Sequence, residues 1–366
     1  MPGPAVPTLG VEEEFLLLRP DGASAALAPE VRAAAGPAVR VVPEFSRCQI
    51  ETSTSVCADL AGLGEDLAGT RRELARAAAR HGVLLVPVGA PPLDAPGAEL
   101  LTDDERYRRL VDWVPGAAGD EITCAAQVHV AVASRELRVA VLARLRPVLP
   151  VLLALTGNSP LLRGRDTGWT SARFAVQRRW PTFLPPPVCA DAAAYHSRTA
   201  GMVADHAALD ESSVYFWARL SPHYPTVEIR IADTCLTVAG AVLLAGLCRA
   251  AVMTAVADEL AGRPVPAVPD RLLLEAGYAA ARHGLDAVVV DPEGGGPAPA
   301  RAAAAALTTS FGAALDAAGD RELVAGLLTE RLRAGTDAER QRALWHGDAA
   351  GFVRALADLA VSARGP

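Results

Sequence analysis

The sequence predicts an α+β fold. Apolar strand-like runs and helix-patterned runs follow one another without strict βαβ alternation. Four of the strand-like runs, far apart in the chain, carry polar residues at every second position. The stretch from 301 to 363 is Ala-rich and helical throughout. The 366 residues are enough for one large core. The boundaries read as a catalytic core over 1–290, a flexible linker at 291–300 (DPEGGGPAPA), and a helical extension over 301–366 packed on the core as a single domain.

Residues 8–18, TLGVEEEFLLL, read as a strand that ends in a turn at Pro20-Asp21-Gly22. Residues 39–53 read as extended segments broken at Pro43, and 58–81 as a helix closed by Gly82. VLLVPVGA (83–90) is a strand, 102–113 a polar helix, and ITCAAQVHVAV (122–132) another strand. Residues 135–156 read as one long helix closed by Gly157. The basic stretch 159–181 is irregular. Helix returns over 191–209, strands over 213–219 and 226–233, and helix over 237–261.

Composition removes several function classes. A net charge of −7, with no basic cluster interleaved with aromatics, argues against a nucleic-acid surface. MPGPAVPT lacks the features of a secretory leader, and VLPVLLAL (148–155) is too short to span a bilayer, so the expected location is cytoplasmic, without a membrane partner. The six cysteines form no CxxC pair and read as reduced core residues. There is no lysine, which excludes a P-loop lysine or a Schiff base and leaves phosphate to arginine, metal ions or backbone amides.

Why three glutamates should sit inside an apolar run is answered in part by alternation. Glu12 and Glu14 share one strand face, roughly 7 Å apart, opposite Val11, Glu13 and Phe15. Gln49 and Glu51, Gln127 and His129, and Glu228 and Arg230 repeat that pattern. Taken singly, each has an ordinary reading: a half-exposed strand residue, a satisfied histidine, a cross-strand ion pair. Together, on one sheet, the faces would converge, and close carboxylates stay ionised only beside a cation. Oxygen-rich sets with at most one His suit Mg²⁺ or Mn²⁺. Arg230 supplies fixed positive charge of the kind a phosphoryl transfer needs.

GVEEEF, QIETSTSVC, QVHV, SPLLRGRDTGWTSAR and PTVEIRIAD, in this order, resemble the glutamate–cysteine ligase type 2 family of carboxylate–amine ligases. ARHGLDAVVVDP (281–292) and GTDAERQRA (335–343) are similar to its C-terminal blocks. The resemblance implies the glutamine-synthetase-like fold: a curved antiparallel sheet holding ATP, Mg²⁺ and an acid substrate, with helices on its convex side. It implies metal binding by Glu12, Glu14, Glu51, Glu228 and Glu44, and phosphate contact by Arg230. Many members have His-x-His where this chain has Gln127-Val128-His129, which leaves either Gln127 or His129 as the ligand, or His129 as part of the nucleotide site. Arg173, in the basic loop with Arg163 and Arg165, is implied to bind a substrate carboxylate or phosphate. Tyr107 with Arg106, and Arg282 at the nucleotide, are weaker candidates of the same kind.

The implied activity is ATP-dependent amide formation through γ-glutamyl phosphate, with cysteine or another amine as acceptor. The expected partners are small amino-acid and amine substrates, and a homo-oligomer is compatible with the sequence. A non-catalytic metal- or nucleotide-binding protein on the same fold, or a metal-dependent phosphohydrolase, is the alternative reading.

Overall fold

A glutamate triplet can sit in a central strand because alternation sends its members to different layers. The structure, a computed structural model, describes residues 6–37, 39–95, 97–114 and 122–362. Its main sheet has seven strands: β1 (Leu9–Leu18), β2 (Arg40–Val42), β3 (Gln49–Ser53), β4 (Leu84–Val86), β5 (Ala126–Ala131), β6 (Ala218–Leu220) and β7 (Thr226–Ile229). The order is β2-β3-β1-β5-β7-β6, with β4 beside the end of β1, and every pairing is antiparallel.

One face is covered by helices. Leu9 and Val11 of β1, Val128 and Val130 of β5, and Val227 and Ile229 of β7 are buried in one core. That core includes the helices Arg135–Leu145, Leu149–Thr156 and Val238–Leu260. Each such side chain contributes about 1.5–3 kcal/mol of burial. Helix Val238–Leu260 is long and apolar enough to cross a membrane, but 78% of its most apolar window is buried inside the fold, as a core helix requires.

Glu13 projects into the layer of helix Leu60–Arg80 and meets Arg71; both are buried. Arg71 Nε and Nη2 donate to the two Glu13 oxygens, and its remaining donors reach the carbonyls of Cys235, Leu236 and Ala360. The middle glutamate is thus a structural anchor that joins β1, the segment after β7 and the last helix.

Three expectations differ from the structure. The single helix over 135–156 is two helices bent by 66°, because Pro147 cannot donate to the preceding turn and its ring crowds it. The 291–300 segment, expected as a flexible linker, turns a hairpin in which Val288–Val290 pairs with Pro297–Pro299, and Asp291 N–H donates to Gly296. The irregular 159–181 stretch contains a small hairpin, Leu161–Leu162 with Arg165–Asp166, and a short helix, Ala172–Gln177. The C-terminal region is a set of short helices, one of which ends at Gly319 with φ of 73°, a left-handed cap that glycine adopts without strain.

Candidate active site

The face of the sheet opposite Leu9, Val11 and Glu13 is where the polar alternation converges. Register places Glu12 opposite Gln127 and Ser53, Glu14 opposite Glu51, and His129 opposite Glu228. Glu12, Glu14, Glu51, Gln127, His129 and Glu228 line a cavity of about 310 Å³, which Glu44, Tyr107, Arg173 and Arg230 also line. Four strands and the loop before β3 therefore deliver one acidic floor.

Two groupings can be distinguished on that floor. In the first, one ligand atom each from Glu12, His129 and Glu228 lie within 4.8 Å of one another. His129 Nδ1 shares a hydrogen bond with Thr226 Oγ1 at 2.9 Å. Its Nε2 is buried, has no hydrogen-bond partner among the described residues and stands 3.4 Å from Glu12 Oε1. An orphaned ring nitrogen facing two carboxylates is a donor set that a divalent cation completes. Gln127 is differently engaged: its amide donates to Glu14 Oε1 at 3.0 Å and its oxygen accepts from Arg230.

In the second grouping, Glu14, Glu44 and Glu51 crowd one another. Burial raises the Glu14 carboxyl, although it accepts from Ala125 N–H at 2.8 Å and from Gln127. Burial and then the neighbouring Glu14 push Glu44 up to about 7. Burial followed by Glu44, Glu14 and Glu12 drives Glu51 well above the usual range. All three are shifted toward the protonated form, a shift that a bound cation would oppose.

Glu228 behaves oppositely. Burial pushes its carboxyl up, but Arg230 and Arg219 outweigh that and hold it at about 2. Arg230 Nη1 donates to both Glu228 and Gln127, so its guanidinium lies between the two groupings.

The other candidates divide by position. Arg173 is buried at the cavity wall and donates to the carbonyls of Ile231 and Arg230. Tyr107 lines the cavity, packs edgewise on Phe45 and donates to the Pro43 carbonyl. Its neighbour Arg106 forms a fork on Asp210. Arg165 and Arg163 are exposed on the Leu161–Asp166 hairpin and do not line the cavity. Arg282 is also exposed, with its guanidinium 5.7 Å from the Trp169 ring centre, away from the lining residues.

Sequence reasoning missed Arg219, Asp233, Trp180 and Tyr215. A signal for Arg219 existed. Folding the chain back about the Pro222–Pro225 turn pairs Leu220 with Val227 and hence Arg219 with Glu228. Asp233 left no such signal, because its partners come from segments 60 to 75 residues away. A second cavity of about 290 Å³ shares Arg219, Ser221, Pro222, His223 and Tyr224 with the first, and Arg135 and Arg138 also line it.

The antiparallel sheet gathers acid side chains beside guanidiniums in one cavity, the residue types that cations and anionic groups engage. The profile of glutamate–cysteine ligase family 2 matches residues 8–355, and the chain belongs to that family. It is 40% identical over 363 residues to the "Putative glutamate--cysteine ligase 2-2" of Mycobacterium sp. (strain KMS), covering 98% of this chain and all of that one. It is 41% identical over 357 residues to the protein of the same name from Frankia alni, covering 93% of each. Among solved structures it resembles a glutamate–cysteine ligase from Francisella tularensis in complex with AMP, with TM-score 0.72, 13% identity, and 98% and 90% of the two chains covered. It also resembles a bifunctional glutathione synthetase from Pasteurella multocida, with TM-score 0.67, 15% identity, and 97% and 51% covered. At those identities the likeness establishes a common fold. The chain is a ligase that forms carbon–nitrogen bonds, of the glutamate–cysteine ligase kind.

Proposed function

We propose that this ligase joins glutamate to cysteine or another amine at the expense of ATP, through a γ-glutamyl phosphate. The observation that carries the reading is the convergence of Glu12, Glu14, Glu51, His129 and Glu228 with Arg230 in one cavity. In this reading the side-chain carboxylate of glutamate attacks the γ-phosphorus of ATP and ADP leaves. The amine nitrogen then attacks the acyl carbon, phosphate leaves, and the nitrogen gives up a proton. Arg230 is placed to hold the transferred phosphoryl group, since it already sits among acceptors at the centre of the floor. Arg173 offers its charge to a carboxylate or phosphate from the wall.

Glu12, His129 and Glu228 would hold one divalent cation, Mg²⁺ or Mn²⁺, and Glu14, Glu44 and Glu51 a second. The orphaned His129 Nε2 favours His129 over the fully engaged Gln127 as the ligand. Bound there, such ions would supply positive charge against nucleotide phosphates. The adjoining cavity has space for the rest of the nucleotide. The sheet would then be the curved wall of a glutamine-synthetase-like site, and the C-terminal helices an extension of the same domain. Six free cysteines suit a reducing cytoplasm.

ADP release with glutamate and a panel of amines, scored together with the mass of the amide product, tests the proposal. ADP and amide should rise together. Phosphate release that ignores the amine would make the protein a hydrolase, and no turnover with any acid–amine pair would end the ligase reading for this chain.

A further inference from the structure

Asp233 is fully buried four residues beyond the end of β7, and both its oxygens are engaged. Oδ2 accepts from the Asn158 backbone N–H at 2.9 Å and from Ser159 Oγ at 2.7 Å. Oδ1 accepts from Ser171 Oγ at 2.7 Å and lies 3.7 Å from Arg173 Nη1. Gly89 packs so closely that an added Cβ would come within 2.7 Å of Asp233 Oδ2. A carboxylate enclosed this tightly is a fixed counter-charge.

Arg173 is held from three directions. Its backbone N–H donates to Ser159 Oγ at 3.0 Å, Nη1 to the Ile231 carbonyl at 3.1 Å, and Nη2 to the Arg230 carbonyl at 3.2 Å. Its Nε is buried without a hydrogen-bond partner among the described residues. Ser171 also accepts from Phe174 N–H at the start of the same short helix. The carboxylate that stands against Arg173 therefore fixes the helix that carries it, and Arg173 in turn grips the backbone of Arg230.

The outer support comes from the C-terminal block. Gln341 Nε2 donates to both the Asn158 carbonyl and Asn158 Oδ1, at 2.8 and 2.6 Å. Ala338 N–H donates to the Gly157 carbonyl at 3.0 Å. The GTDAERQRA motif is thus one residue removed from the shell around Asp233, although it lies far from the cavity in sequence.

We infer that Asp233 is a positioning residue for Arg173, and through the Arg230 carbonyl for Arg230, with Gln341 of the C-terminal block as its brace. A buried guanidinium without a counter-charge is costly, and an anchored carboxylate lets Arg173 stay charged at the cavity wall. The inference rests on the assignment of Arg173 as a cavity cation under the proposed function.

A double-mutant cycle on Asp233→Asn and Arg173→Gln tests it. Each single change should lower kcat/KM for the acid substrate about 100-fold, mostly through KM. The double variant should be no worse than Arg173→Gln alone, because residues that act through one another are not additive. Multiplied losses would overturn the inference and leave Asp233 a tether of loops. Gln341→Ala, a gentler change should Asp233→Asn fail to fold, should lower kcat/KM about tenfold; an unchanged kcat/KM would count against it. The Arg173 Nε–H resonance provides a readout free of turnover. It should shift in Gln341→Ala, and an unmoved resonance overturns the positioning role. No ADP from the unaltered enzyme would instead sink the ligase reading, with the resonance still deciding this one.

Discussion

Arg219 and Glu228 face each other across the β6–β7 hairpin and share two hydrogen bonds, Nε to Oε2 at 3.0 Å and Nη2 to Oε1 at 3.1 Å. The fork is itself anchored, since Arg219 Nη1 donates to the carbonyls of Ser212 and Val214. Glu228 therefore reaches the cavity floor with its plane already set. Lysine would keep the charge but not the planar fork. Arg219→Lys should reduce turnover about 10–100-fold, the usual effect of losing a residue that orients a ligand. A rate within twofold of the unaltered enzyme, measured as ADP release, would reduce Arg219 to a fold anchor.

Glu12 and Glu228 are the acids that group with His129, each offering an oxygen within 4.8 Å of one of its ring nitrogens. Changing either to glutamine keeps volume and removes charge. Mg²⁺ should raise the Tm of the unaltered protein, and both variants should keep their fold and lose turnover together with that rise. Chelation with EDTA should reproduce the loss in the unaltered enzyme, and added Mn²⁺ should restore it. A variant that still shows the Mg²⁺-dependent rise in Tm would remove that residue from the cation set.

The crowded carboxylates predict how stability varies with pH. Glu44 is raised from 4.5 to about 7, so between those values the folded protein holds a proton that the unfolded chain releases. The sign follows: the native state binds more protons, so this contribution is full below about 4.5 and is lost as pH rises through about 7. Without divalent cations, Tm should therefore fall from pH 5 to pH 8. Mg²⁺ should reverse the trend, raising Tm at pH 8 and having less effect at pH 5, where Glu44 already holds a proton. A metal-free Tm that is flat or rising across this range would mean that the cluster is not crowded in solution.

Alternation made the cavity floor legible in the sequence, because the strand period assigns faces without reference to partners. Glu12 with Glu14, and Gln127 with His129, needed only a strand assignment. The division of labour between Gln127 and His129 was not legible, since it depends on what each side chain meets across the sheet. Arg165 and Arg282 have the fitting residue type within basic or motif-bearing segments, but such segments do not say which way a side chain points. The break at Pro147 could have been read from proline chemistry alone, yet the apolar pattern on both sides concealed it. Asp233 and Arg71 depend on contacts between remote segments, which no local period encodes.

Arg71 gives a prediction about folding rather than catalysis. Its guanidinium serves Glu13 and three carbonyls at once, all of it out of contact with water. Arg71→Met would strand the Glu13 charge in an apolar layer, and breaking one side of such a pair costs about 3–5 kcal/mol. Replacing Glu13 as well, as Glu13→Leu, removes the stranded charge and should recover part of that loss. Recovery should stop short of the original stability, because the Cys235, Leu236 and Ala360 carbonyls remain without the donors they had, and each buried orphan costs about 1–3 kcal/mol. Urea midpoints of the two variants would show this. A double variant as stable as the unaltered protein would mean that water or a backbone shift satisfies those carbonyls, and that Arg71 serves only to balance Glu13.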